Sequence, residues 1–463
     1  MIVSEEKNLP EGDLNNRDSV VNEPSSQINN NFTNSSATGG ASSFPPAQKL
    51  SLKNLQTFSS LKNGVFRLYY GAMLGQMAAM NMQMMIRSLL IYRLTDSALH
   101  LGYLALAQSL PMLVFSLFGG VIAERIQKKY VLLVGQAASG ILTLIVAICL
   151  TYGWMTSQTW WILILASLGQ GIIMGLMMPA RQAMIADIVR RDQLMNAVAL
   201  NTFGMNGLRL TAPALSGFLI YFFGGDKEGL VGFDAVYYFM TAMYLVAVIF
   251  VLLMPHTGVV SLKGKGALGD IVAGIKYARY EPIIRIILVI TFLTVLLSMP
   301  YMFLLPVFTE DVLDVGASGL GVLISISGIG AMLGSLVLAS LPDKHRGHIL
   351  LIGSLVSGIS LTGFAFSTVW IGAVIFIFFV GLGQTVRMTL GNALLQYYVQ
   401  EEFRGRIMAL YMMEFGLTSF GVFGASLLAD MIGVEWSIGG MAIALIIATI
   451  IVYFVSPRMR QLQ

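Results

Sequence analysis

One carboxylate sits where a carboxylate is expensive. Glu414 falls in the apolar run MALYMMEFGLTSFG, eight residues beyond Arg406, which on a helix is about 12 Å at 1.5 Å per residue. At that depth in a hydrocarbon layer a charged side chain is functional by default, and a carboxyl group can take up and release a proton. Glu414 is therefore the expected proton-coupling residue. Arg209 and Arg387 lie in comparable apolar surroundings. Arg209 is expected as the buried charge partner of Glu414, and Arg387 as a candidate for substrate contact, the other reading being a side chain that snorkels to the inner membrane face.

A second chemistry is suggested by MLGQMAAMNMQMMIR, Met73 to Arg87, with six methionines in fifteen residues. At 100° per residue, Met73, Met77, Met80 and Met84 form one stripe, edged by Gln76 and Gln83, with Arg87 near its centre line. Thioethers make a deformable apolar wall, and the amides and guanidinium could orient a polar group. Gln76, Met77, Met80, Gln83, Met84 and Arg87 are thus candidate cavity residues; the other reading is methionine filling gaps between helices. No Cys or His joins the stripe, so no metal site is expected. The segment Gly258 to Gly266 is spaced one residue too long for a phosphate loop and has Gly266 in place of Ser or Thr, so neither an ATPase nor a cofactor is expected.

These residues need a scaffold, and composition names it. The 463-residue chain is 56% hydrophobic and only 11% charged, against about 25% charged in soluble domains. That excludes an ordinary soluble protein and predicts an all-α membrane protein. After a polar, Asn- and Ser-rich tail over 1–62, read as a disordered cytoplasmic segment, twelve apolar segments follow, near 67–93, 100–123, 130–152, 159–186, 196–223, 231–254, 283–309, 316–341, 349–367, 369–396, 407–432 and 436–456.

Alternate loops hold Arg125, Lys128, Lys129; Arg190, Arg191; Lys263, Lys265, Lys276, Arg279, Arg285; Lys344, Arg346; and Arg404, Arg406, fourteen in all against only Arg93 and Lys227 on the other side. The basic loops and both termini are therefore expected in the cytoplasm, in a multi-pass protein of the cell (inner or plasma) membrane. The same distribution assigns the net charge of +4 to membrane topology rather than to nucleic acid. Residues 257–282 read as a cytoplasmic linker, with an amphipathic helix over GDIVAGIKYARYEP that puts Ile271, Ile275 and Ala278 on one face. It joins two six-helix halves, 63–256 and 283–456, ahead of a short tail, 457–463.

The halves repeat. At an offset of 219 residues Leu101-Gly102 matches Leu320-Gly321, and Glu124-Arg125 matches Asp343-Lys344; at 210, Ala183, Val189 and Asp192 match Ala393, Val399 and Glu402. Two pseudo-symmetric six-helix halves with a site between them follow.

That arrangement resembles the major facilitator superfamily over residues 65–456. The loop GGVIAERIQKK is similar to the superfamily signature at Gly120, Glu124, Arg125, Lys128 and Lys129, with Gln127 where the signature has Gly. The resemblance implies a cytoplasmic gate made of these residues with Asp187, Asp343 and Lys344, and a cavity lined by helices 1, 4, 7 and 10. Gly204, Gly207, Pro213 and Gly217 partly match the antiporter motif, with Ala212 in place of its usual glycine.

The stretches Pro179–Ile220 and Glu401–Gly421 are similar to the twelve-helix drug and siderophore exporters, the group of enterobactin exporters and macrolide efflux pumps. What this implies is a monomeric secondary transporter, not an enzyme, whose partners are a small-molecule substrate, protons and the bilayer. It would export an amphipathic compound, drug-like or a siderophore, by alternating access. The alternatives are a solute importer or lysophospholipid translocase of the same fold and, from another class, a non-transporting receptor or assembly factor.

Overall fold

The computed structural model describes residues 60–190, 193–225, 229–255, 275–341 and 345–460. Among them the chain is helical and contains no strand: α1 (Gly64–Thr95), α2 (Ala98–Arg125), α3 (Lys128–Thr151), α4 (Trp161–Ile188), α5 (Leu194–Phe222), α6 (Phe233–Leu253), α7 (Pro282–Ser298), α8 (Tyr301–Val307), α9 (Gly316–Ser340), α10 (Arg346–Ala365), α11 (Trp370–Tyr398), α12 (Glu401–Met412), α13 (Glu414–Ile432) and α14 (Val434–Val455), followed by one turn, α15 (Pro457–Arg460). The sequence explains their limits. Asn63 caps α1, its Oδ1 accepting from the Val65 amide at 2.9 Å. Gly433, at φ +90°, turns the chain between α13 and α14 in a conformation that a side chain would strain.

Nine helical stretches among the described residues are long and apolar enough to cross a membrane, with α7, α8 and the π turn Phe308–Val312 counting as one. The remaining three of the twelve expected segments, α1, α5 and α12 with α13, are helical but more polar; α1 carries Gln76, Asn81, Gln83 and Arg87. Two expected helices are interrupted. Pro300 lacks an amide hydrogen and separates α7 from α8, while at Met413 the ladder tightens to an i→i−3 bond, Met413 N to Leu410 O at 3.0 Å.

The expected tail lies outside the described residues except for 60–62, a short turn. There Ser60 is fully buried and donates to Asn196 Oδ1 at 2.7 Å, so packed chain includes residues ahead of the expected boundary at 63. Of the amphipathic linker helix only 275–280 is described, and it is helical. Its facing differs from expectation: Ile275 is exposed while Ala278 is buried, and Tyr277 stacks on Phe403 at 4.3 Å. This segment is therefore held by α12, through an aromatic pair that periodicity did not weigh.

Within 64–253, α2 packs on α4, α3 on α6, and α1 on both α5 and α6; within 282–455, α11 packs on α9 and α10, and α10 on α14. The two most extensive crossings between these groups are α5 with α9 and α2 with α13. Both are built on glycine. A Cβ at Gly321 would lie 2.8 Å from the Pro213 carbonyl oxygen, and one at Gly102 would lie 3.1 Å from the Phe423 Cα. Gly102 and Gly321 are equivalent at the offset of 219, and Pro213 and Phe423 at the offset of 210, so the internal repeat marks the two crossings. Gly321→Leu should weaken the α5–α9 crossing by about 1–3 kcal/mol, the usual cost of overpacking. A thermal midpoint in detergent equal to that of the parent protein would refute this.

The buried core is unevenly distributed along the helices. At the end away from the basic loops one cluster joins both groups, including Leu89, Leu90 and Ile91 of α1 with Phe308, Leu320 and Phe364. Toward the basic end the core divides into two separate clusters, one around Phe66, Met184 and Val251 and one around Ile287, Leu394 and Ile407.

Candidate functional site

Toward this divided end a cavity of about 1030 Å³ opens between α5, α9, α11 and the α12–α13 break. On α5, Thr202, Asn206 and Arg209 face it, at i, i+4 and i+7. On α11, Thr385, Thr389, Asn392 and Gln396 do, again on one helical face, and the Gln396 amide donates to Asn392 Oδ1 at 2.7 Å. The α9 wall is smaller and more apolar, with Gly328, Ala331, Met332 and Ser335.

Glu414 reaches this wall from the first turn of α13, where the break at Met413 points it inward. It is 2% exposed, and its Oε2 has no hydrogen-bond partner. Tyr411 lies beside it and donates to the Met388 carbonyl at 3.2 Å. The Glu414 carboxylate also feels the charge of Arg387, without a direct ion pair.

The expected partner, Arg209, is not buried. It faces the cavity and makes no ion pair with Glu414. Arg387 is corrected the other way: it is 0% exposed, lies behind the wall rather than on it, and none of its three guanidinium nitrogens has an acceptor among the described residues. A buried guanidinium without an acceptor is costly even with the charge of Glu414 nearby, so Arg387→Met should stabilise the fold by about 1–3 kcal/mol, the cost of leaving a buried donor unsatisfied. A lowered thermal midpoint in detergent would instead mean that the guanidinium is held by its surroundings.

The methionine stripe is divided by packing. Gln76, Met77 and Gln83 are buried, Met80 is half-buried, Met84 is exposed, and none of them lines this cavity. The Gln76 amide donates to Met177 Sδ at 3.5 Å, and Arg181 to Met77 Sδ at 3.7 Å. Arg87 is 4% exposed and donates to Gln108 at 3.1 Å and Ser167 at 3.0 Å, beside Tyr237 and Tyr244. It thus ties α1 to α2, α4 and α6 instead of reaching a cavity or an interface.

The expected gate has a different geometry. Lys128 pairs with Asp187, which joins α3 to α4 within one group of helices rather than latching two groups. Lys129 is buried and donates to the Leu252 and Met254 carbonyls at the end of α6, and Arg125 is exposed. Asp343 and Lys344, and the side chain of Glu124, lie outside the described residues, and Gly120 lies within α2. In the antiporter-like motif Gly204 meets Tyr70 and Leu74 of α1, Gly217 meets Ala317 of α9, and Gly207 has open space around it.

At the opposite end the chain is bridged by polar contacts. Arg93 pairs with Glu310 at 2.8 Å, the Tyr92 hydroxyl donates to Asp311 at 2.5 Å, and Ser97 donates to Asp430 at 2.9 Å. The π turn places the consecutive acids Glu310 and Asp311 where both reach α1. Sequence reasoning set Arg93 on the side away from the basic loops without giving it a partner, and missed the polar stripe on α11, whose signal was its helical spacing.

A bundle of membrane-spanning helices, divided by a cavity with one polar wall at one end and closed at the other, has the form of a small-molecule transporter. A family model described as transmembrane secretion effector matches residues 55–462, so the chain belongs to that family of the major facilitator superfamily. The chain is 26% identical over 367 residues to the staphyloferrin A transporter of Staphylococcus aureus, covering 79% of this chain and 89% of that one. It is 24% identical over 342 residues to the enterobactin exporter EntS of Salmonella typhimurium, covering 74% and 79%. It is 22% identical over 389 residues to the multidrug efflux pump Tap of Mycolicibacterium fortuitum, covering 81% and 91%. A solved bacterial homologue of the lysosomal transporter Spinster, in an inward-facing, unoccupied conformation, superposes with a TM-score of 0.65 at 13% identity, covering 87% of this chain and 98% of that one.

Proposed function

We propose that this protein is a secondary active transporter that exports an amphipathic small molecule from the cytoplasm in exchange for protons. The observation that carries the reading is Glu414, a buried acid in the wall of a 1030 Å³ cavity. The halves 63–256 and 283–456 rock about their two glycine crossings, with 257–282 as the linker. The basic loops and both termini face the cytoplasm, so the cavity opens inward while the contacts of Arg93, Tyr92 and Ser97 close the outer end. The protein works as a monomer in the cytoplasmic membrane. Relatives described as an enterobactin exporter and a multidrug efflux pump support export.

Inverted membrane vesicles energised by respiration test this. A panel of drugs and siderophores is added while luminal pH is followed, and proton release on adding one compound is the expected result. Silence toward the whole panel, with the protein shown to be present and folded, would remove the case for antiport.

A further inference from the structure

The charges around the cavity do not balance. Arg209 lines it at depth, and Arg404 lines its mouth. Against these two cations the described wall holds one acid, Glu414, which already lies in the field of the buried Arg387. A cleft with low-dielectric walls focuses such an excess and raises the local concentration of ions of opposite sign. Arg209 also makes no hydrogen bond or ion pair among the described residues, although its guanidinium offers a fork of donors suited to a carboxylate. It faces a cavity whose α11 wall presents hydroxyls and amides from Thr385 to Gln396 and whose α9 wall is more apolar.

We infer that the cavity binds an amphipathic organic anion, its acidic group on Arg209, its hydrogen-bonding atoms on the Thr385, Thr389 and Asn392 face, and its apolar part against Ala331 and Met332. This deepens the transport reading and rests on the cavity being the substrate site. Arg404 draws the anion to the mouth, and Arg209 fixes it at depth. An amphipathic cation meets two repulsive charges on the same route, so charge selects the cargo before shape does. Glu414 stays available for a proton, because the acidic group of the ligand is held on α5 rather than α13.

Binding, measured apart from transport, tests the inference. The purified full chain in detergent is titrated by fluorescence anisotropy with carboxyfluorescein, a xanthene anion, and with tetramethylrhodamine methyl ester, a xanthene cation of similar size. Saturable binding that favours the anion is expected, with affinity about tenfold weaker in Arg209→Gln, the worth of one lost charge-assisted contact. Arg209→Lys should fall between, since it keeps the charge and loses the fork. Circular dichroism and the thermal midpoint of each variant show that it folds. A preference for the cation, no saturable binding of the anion, or parent affinity in Arg209→Gln would each overturn the inference. If the anion binds as expected while vesicles release no protons, proton-coupled transport fails and the anion site stands.

Discussion

Glu414→Gln is expected to abolish substrate-driven proton release while sparing substrate exchange. The amide has the shape of a protonated carboxyl but cannot lose a proton, so any step that requires the site to alternate between charged and neutral is blocked. Net transport driven by the proton gradient should drop by about 100-fold, the lower range for removing a proton-transfer group. Exchange of labelled for unlabelled substrate across vesicles without a gradient needs no net proton movement and should stay near the parent rate. The two assays together separate coupling from binding. Loss of both would make Glu414 a structural or substrate-binding residue, and retention of both would mean that another group carries the proton.

The second large effect is expected at the outer end. Glu310→Lys sets two cations face to face where Arg93 and Glu310 now meet at 2.8 Å, with side chains only 6% and 15% exposed. Burial makes that repulsion large, and a closed outer end should no longer form, lowering the initial rate of transport by at least about tenfold. Adding Arg93→Glu restores opposite charges and should recover much of the rate. Recovery is incomplete because Arg93 also donates to the Gly225 carbonyl at 2.7 Å and the Gly229 carbonyl at 3.2 Å, which a carboxylate cannot do. A double variant no better than the single one would show that these carbonyl contacts, not the ion pair, hold the outer end.

Glu414 and the internal repeat carry most of what could be read in advance. Depth along a helix follows from counting residues, so an acid far from any interface is visible without coordinates. The pairing of Gly102 with Gly321 was visible as a repeat, but its meaning came from packing, where each glycine lets a helix of the other half approach its backbone. The methionine stripe shows the converse. Its periodicity is sound, yet α1 is enclosed by α5 and α6 along most of its length, so residues on one face of a helix meet different neighbours at different depths. Periodicity reports which side chains share a face and says nothing of what covers that face.

The amino-acid sequence by itself determined that this chain is a helical membrane protein, where its helices fall, which way the basic loops bias it, and which superfamily it resembles. Those are properties of composition and local spacing, and the bilayer enforces them by requiring every backbone polar group to be satisfied within its own helix. Tertiary structure alone decided that Arg209 faces the cavity, that Arg387 lies behind its wall, that Arg87 is a tie between helices, and that Arg93 meets Glu310. The reason is that the partners of a side chain in a bundle come from helices far away in sequence, and the rotation and depth of each helix, set by contacts as specific as one glycine against one carbonyl, choose among them.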